Sequence, residues 1–184
     1  MMRTTRLQTR KLRNSITLLI TAILSGASLV PSIVRAGDAS SASVVVKAED
    51  VMAKIALSAS TIAPGGQLGV SIAFEVAPGW HIYGDPLPSE FTTTKVKFDD
   101  QLLQHQSIKL PPPTPLKFEA LGETYPVYTG KFNAAGKLAL KPAITPGDYK
   151  LAGTLEFQEC NDNMCKVPQS VHFELPLKIE ASRT

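Results

Sequence analysis

Cys160 and Cys165 are the only two cysteines in 184 residues, and the chemistry open to this chain begins with them. Between them lie Asn161, Asp162, Asn163 and Met164, three turn formers and a methionine, and Lys166-Val167-Pro168 follows. Strand-like sequence on both flanks places the sulfurs across a tight, hairpin-like loop, where they can join with little rearrangement. A bridge closing so short a loop removes little freedom from the unfolded chain, about 2 kcal/mol by the loop-entropy relation. It is a weak staple.

Three chemistries suit such a pair: a structural bridge, a redox-active dithiol, or two soft metal ligands. Structural bridges are the commonest in secreted domains. Exchange requires an attacking thiolate, a second sulfur to resolve the mixed disulfide, and room for a partner's sulfur; the pair itself supplies the first two. The spacing is C-x4-C rather than C-x-x-C, and no helix N-terminus is evident to depress a thiol pKa. A carrier governed by access fits better than a fast oxidant. Met164 beside Cys165, with His81 and His172 elsewhere, has the softness Cu(I) favours, whereas zinc asks for a fuller ligand set. No resident metal or cofactor is expected. The sequence has no Gly-rich phosphate loop, paired-carboxylate constellation or Ser/His/Asp grouping, which leaves hydrolytic enzymology without a foothold.

The compartment decides whether a disulfide persists. Arg3, Arg6, Arg10, Lys11 and Arg13 precede an apolar run from Ile16 to Val30, and Val34-Arg35-Ala36 supplies a cleavage point, so residues 1–36 read as a signal peptide. Six of the 19 Lys and Arg lie there and none of the 16 Asp and Glu, leaving 13 against 16 and a net charge of −3 in the remainder. That removes any nucleic-acid footprint or polybasic membrane patch. No later segment is long and apolar enough for a bilayer span, so no membrane insertion is expected after cleavage. The mature chain is the size of one ordinary domain, able to bury a core without a disulfide.

The elements that must position the cysteines read as short strands. Residues 37–50 read as a flexible leader and 51–184 as a single domain. Leu68, Val70, Ile72, Phe74 and Val76 give the clearest period-two alternation. Trp80-His81-Ile82-Tyr83 reads as core, Thr92–Phe98 as a strand, and Leu110–Pro115 as a polyproline-like connector that cannot enter a sheet interior. Val127–Phe132 and Lys137–Leu140 are expected to pair through a hairpin at Asn133–Gly136. In an unbroken last-but-one strand, Leu151, Leu155 and Phe157 share one face, and Cys160 falls on the other, more polar one, which favours an accessible sulfur; a bulge near Glu159 would reverse this. Val171, Phe173, Leu175, Leu177 and Ile179 form the apolar face of the final strand, with His172 on the polar face. Eight or so strands with Gly/Pro turns and no convincing helix point to an all-β, immunoglobulin-like sandwich.

The order of landmarks carries a resemblance: Gly79-Trp80-His81-Ile82-Tyr83, then Leu121-Gly122 and Tyr125–Gly130, then Cys160 and Cys165-Lys166-Val167-Pro168. From about Leu68 to about Ile179 the chain resembles the N-terminal periplasmic domain of the thiol-disulfide interchange protein DsbD. The resemblance implies an immunoglobulin-like sandwich whose cysteine pair relays electrons from an inner-membrane conduit to periplasmic disulfide or thioredoxin-like proteins. It implies a Cys160–Cys165 disulfide, with Cys165 as exchange thiol and Cys160 as its resolving companion. It places a cap loop on Phe118, Ala120, Leu121 and Gly122, and His81 and Tyr83 as aromatic neighbours of the sulfurs. The inter-cysteine loop is one residue shorter than in well-known members, and Ala120 or Leu121 replaces the aromatic cap residue, with Phe118 nearby, which implies looser shielding. The sequence ends at Thr184 without a membrane conduit or thioredoxin-like domain, so the reductant is expected to be a separate protein. The leading expectation is a periplasmic thiol-disulfide interchange module. The alternative is a β-sandwich binding module whose disulfide ties a loop, with copper as a possible ligand.

Overall fold

The computed structural model describes residues 41–88, 90–118 and 122–181. The expected signal peptide and residues 37–40 of the expected leader lie outside them, as do Ala120 and Leu121 of the expected cap. Among the described residues the chain is all-β, with three sheets. The largest holds, in spatial order, β1 (Ser43–Lys47), β2 (Val51–Leu57), β4 (Gln67–Val76), β10 (Lys131–Leu140) and β7 (Leu103–Lys109), every neighbour antiparallel. A second runs β3 (Thr61–Ile62), β13 (Gln169–Ile179), β11 (Gly147–Phe157), β6 (Lys95–Phe98), antiparallel apart from the short β3–β13 pair. The third runs β12 (Glu159–Cys160), β5 (His81–Tyr83), β9 (Glu123–Tyr128), β8 (Thr114–Phe118).

Period-two patterning builds the sandwich. The alternating apolar residues of β4 are all buried, and so are Leu151, Leu155 and Phe157 of β11 and Phe173, Leu175, Leu177 and Ile179 of β13. With Ile55 and Leu138 they form one cluster spanning the two larger sheets. Each such side chain contributes about 1.5–3 kcal/mol on burial, so the short disulfide adds little by comparison.

Three local expectations change. Ser43–Lys47, read as leader, is a full edge strand paired with β2 from Ser43↔Ala56 to Lys47↔Met52. The Asn133–Gly136 hairpin does not form: β10 runs unbroken from Lys131 to Leu140, and the chain turns instead before it, at Gly130 with φ 58°. Gly136 sits mid-strand between Val70 and Ile108, where a Cβ would lie 2.3 Å from the Ser107 carbonyl oxygen. Close backbone approach, rather than a turn, requires this glycine. The proline-rich connector ends earlier than expected, because Thr114 and Pro115 open β8 at the outer edge of the third sheet, opposite Val127 and Pro126. An edge strand tolerates a missing amide donor.

Gly153 in β11 is similarly enclosed. A Cβ there would meet the Phe173 ring at 2.6 Å and the Lys97 carbonyl at 2.8 Å. Gly153→Ala is therefore expected to destabilise the domain by about 1–3 kcal/mol through overpacking, read as a lower urea midpoint at unchanged m-value.

Candidate functional site

The cysteine loop exists because the chain changes sheets. β11 ends at Phe157, and after Gln158 the two residues of β12 pair with β5, giving Glu159↔Ile82 and Cys160↔His81. Burial alternation is lost across the transfer, since Phe157, Gln158, Glu159 and Cys160 are all buried. This corrects the parity argument for an accessible Cys160: its sheet partner is β5, not a continuation of the β11 ladder, and the residue is 0% exposed. Gln158 fastens the crossing on both sides, its Oε1 accepting from the Thr92 amide at 3.2 Å and its Nε2 donating to the Lys166 carbonyl at 3.0 Å.

The turn composition of Asn161–Met164 forms a compact loop. Asn161 Oδ1 accepts from the Asn163 and Met164 amides at 2.9 and 3.0 Å, and the Asn161 amide donates to the Met164 carbonyl at 2.9 Å. Such an Asx arrangement replaces the backbone partners a two-residue turn would supply. Cys160 and Cys165 face each other as an antiparallel bridge, Cα atoms 4.1 Å apart, and are joined by a disulfide. Their surroundings differ sharply. Cys165 is exposed, flanked by Met164 at 55% and Val167 at 81% exposure, whereas Cys160 is sealed beneath it.

An aromatic cluster forms the wall. Tyr83, 2% exposed, packs its ring against His81 (5.5 Å between centroids), Phe91 (5.0 Å) and Tyr125 (6.1 Å). Phe118, at the end of β8, meets His81 at 5.3 Å and Tyr125 at 5.5 Å. Tyr83 and Cys160 share a small buried cluster with Val127, against which Phe91, Phe118 and Tyr125 pack. The Tyr83 hydroxyl lies 3.8 Å from Cys165 Sγ. A disulfide sulfur carries no hydrogen, so the hydroxyl is the donor, and burial raises the Tyr83 pKa and keeps that proton in place. Two contacts fix the Tyr83 backbone, whose carbonyl accepts from the Thr94 amide and hydroxyl, both at 2.8 Å.

The structure thus gathers His81, Tyr83 and Phe118 around the pair. Gly122, with φ 66°, closes the β8–β9 turn, its amide donating to the Phe118 carbonyl at 2.9 Å. Sequence reasoning assigned no site role to Phe91 or Tyr125; Phe91 stands on an aperiodic loop, and only the period-two spacing of Tyr125 with buried Val127 hinted at its side. Of the histidines considered for copper, the fold sets His81 opposite Cys160 and leaves His172 on β13 of another sheet. His81 is buried in β5, while His172 is exposed on β13, its Nδ1 3.0 Å from the Thr154 hydroxyl. Among the described residues no three His, Cys, Asp or Glu side chains group as metal ligands.

Burial lowers the His81 pKa, with Asp162 opposing more weakly, and its Nε2 has no hydrogen-bond partner among the described residues. Such a histidine stays neutral in the fold and takes up a proton more readily when unfolded. Its contribution is intact above the unfolded value of about 6.5 and declines as pH falls below it toward the depressed folded value. His81→Phe, which keeps a ring for the edge contacts, is expected to flatten this acid-side loss. The check is urea denaturation at pH 8 and pH 5; an unchanged difference between wild type and variant would oppose the assignment.

A family model described as "Thiol:disulfide interchange protein DsbD, N-terminal" matches residues 48–177. Among solved structures, the N-terminal periplasmic domain of ScsB from Proteus mirabilis aligns with 73% of this chain and 49% of its own, at 14% identity and a TM-score of 0.52. This chain therefore spans about half of that domain, and the likeness concerns the fold. The reduced N-terminal domain of Neisseria meningitidis DsbD aligns with 75% of this chain and 86% of its own, at 18% identity and a TM-score of 0.36. A comparison with curated proteins found no match. With the family model covering the chain from before β2 into β13, the aromatic wall and both cysteines included, the chain belongs to the DsbD N-terminal domain family.

Proposed function

We propose that this domain is a periplasmic thiol-disulfide interchange module that passes reducing equivalents between proteins through Cys160 and Cys165. The observation that carries the reading is the asymmetry of the disulfide, one sulfur at the surface and the other sealed. An incoming thiolate can reach Cys165 and has no path to Cys160. In the reducing half-reaction, a donor thiolate attacks Cys165 Sγ, the S–S bond breaks, and Cys160 leaves as a thiolate and takes a proton. The donor's second thiolate then attacks its own half of the mixed disulfide, expelling Cys165. The donor is oxidised by two electrons and the domain reduced by two. Discharge runs in reverse: Cys165 attacks an acceptor disulfide, and Cys160 then attacks Cys165 Sγ and releases the acceptor as a dithiol.

The Tyr83 hydroxyl sits where it can donate to a Cys165 thiolate and favour it. Phe118 and Gly122 bound the proposed cap, with Ala120 and Leu121 between them. The export-type N-terminus and the family support the periplasm, where the partners are disulfide or thioredoxin-like proteins and the reductant a membrane electron-conduit protein. Cys160→Ala is the test: incubated with a disulfide-bearing thioredoxin-like protein, it is expected to accumulate a mixed disulfide that peptide mass mapping assigns to Cys165. Absence of any adduct under conditions where a small-molecule disulfide labels Cys165 would reject protein-to-protein exchange.

A further inference from the structure

A partly buried ion-pair network brackets the disulfide, one residue outside each cysteine. Glu159 precedes Cys160 and is 0% exposed; Lys166 follows Cys165. The Lys166 ammonium lies 3.2 Å from Glu159 Oε2 and 3.0 Å from Glu49 Oε2, is also bonded to Asp50, and sits 4.2 Å from the centre of the Trp80 ring. Glu159 Oε1 accepts from the Asp50 amide at 3.1 Å. The Glu159–Lys166 link is doubled by the backbone, with the Lys166 amide donating to the Glu159 carbonyl at 2.8 Å, and tripled by the Gln158 side chain on the Lys166 carbonyl. Burial opposes the Lys166 charge, but the hydrogen bonds it donates to Asp50 and Glu49, together with the neighbouring Glu159 carboxylate, prevail and hold its pKa above the ordinary lysine value.

None of these contacts uses a sulfur. Opening the S–S bond leaves the two ends of the loop fastened to each other, to the turn between β1 and β2 that carries Glu49 and Asp50, and to Trp80 just before β5. Burying the Glu159 carboxylate beside a partly covered ammonium is an expensive way to hold a loop that needs only to be a loop, and the pair's place on both sides of the reacting sulfurs gives that cost a purpose. We propose that Glu159 and Lys166 are positioning residues: they form a clasp that keeps Cys160 within reach of Cys165 when the disulfide is open, raising the effective concentration of the resolving thiol. The purpose rests on the exchange reading above; the clasp itself does not.

Holding the reduced loop closed favours re-oxidation, so the equilibrium constant for forming the disulfide should be high and should fall when the clasp is removed. Glu159→Gln with Lys166→Met removes both charges together, and the part-exposed Asp50 that loses its cation does so equally in the oxidised and reduced forms. The readout is the equilibrium of the full-length protein with dithiothreitol, together with the melting temperatures of the oxidised and reduced forms. The double variant is expected to lower the disulfide-forming constant about 10-fold, a potential about 30 mV less negative, and, by the cycle that links folding to oxidation, to lower the melting temperature of the oxidised form more than that of the reduced form. An equal loss of melting temperature in both forms with an unchanged constant would reduce the network to a structural pair and overturn the proposal. Glu159→Gln alone keeps the side-chain volume and the acceptor for the Asp50 amide, and carries the same test, with a smaller expected shift, if the double variant does not fold. A wild-type bridge that equilibrates with dithiothreitol but with no protein thiol would reject the exchange function and leave the clasp standing.

Discussion

Cys165→Ala is expected to abolish exchange with partner proteins, while Cys160→Ala still takes the first step and stops at the mixed disulfide. The difference follows from exposure, because nucleophilic attack needs a direct approach to sulfur and only Cys165 offers one. A small alkylating reagent reads the same asymmetry without a partner. Cys165, alone in Cys160→Ala, should react at least about 100-fold faster than Cys160 in Cys165→Ala, since burial both blocks access and disfavours the thiolate. The structural staple makes no such distinction, since each variant then loses the same cross-link, worth about 2 kcal/mol by the loop-entropy relation. Similar alkylation rates for the two variants, both still folded, would contradict the site as described.

Replacing Tyr83 separates packing from sulfur chemistry. Tyr83→Ala removes a ring at 2% exposure that touches His81, Phe91 and Tyr125, and is expected to cost about 3–5 kcal/mol. That loss also opens the wall beside Cys160. Tyr83→Phe keeps the ring and removes only the hydroxyl 3.8 Å from Cys165 Sγ. Stability should change by less than about 1 kcal/mol, because that hydrogen bond is long and its sulfur acceptor weak. The Cys165 thiolate then loses a donor, so its pKa rises and the exchange rate at pH 7 falls by about 3- to 10-fold. The pH–rate profile of Cys160→Ala with and without Tyr83→Phe measures this directly; superimposable profiles would remove Tyr83 from the chemistry.

What the sequence revealed tracks which interactions are periodic. Leu68–Val76 and Val171–Ile179 repeat every two residues because one face of each strand meets the core, and their burial follows that pattern. Gly136 misled because a glycine required by close strand approach is, in sequence, indistinguishable from one required by a turn. Cys160 misled for a related reason: parity holds only while a strand keeps its neighbours, and the transfer from β11 to β12 at Gln158 changes them. The resemblance pointed to His81, Tyr83 and Phe118, and the fold gathers them. Phe91 joins from an aperiodic loop, and Glu159, Lys166 and Asp50 meet across sequence separations that no local pattern records.

The most direct measurement is a redox titration of the wild-type protein against glutathione and dithiothreitol buffers, followed by the fraction of Cys160–Cys165 disulfide. An interchange site is expected to titrate reversibly with a midpoint above about −300 mV, within reach of biological thiols. A bridge that remains oxidised well below about −300 mV, the range of structural disulfides, would contradict the central claim and return the pair to the role of a short staple.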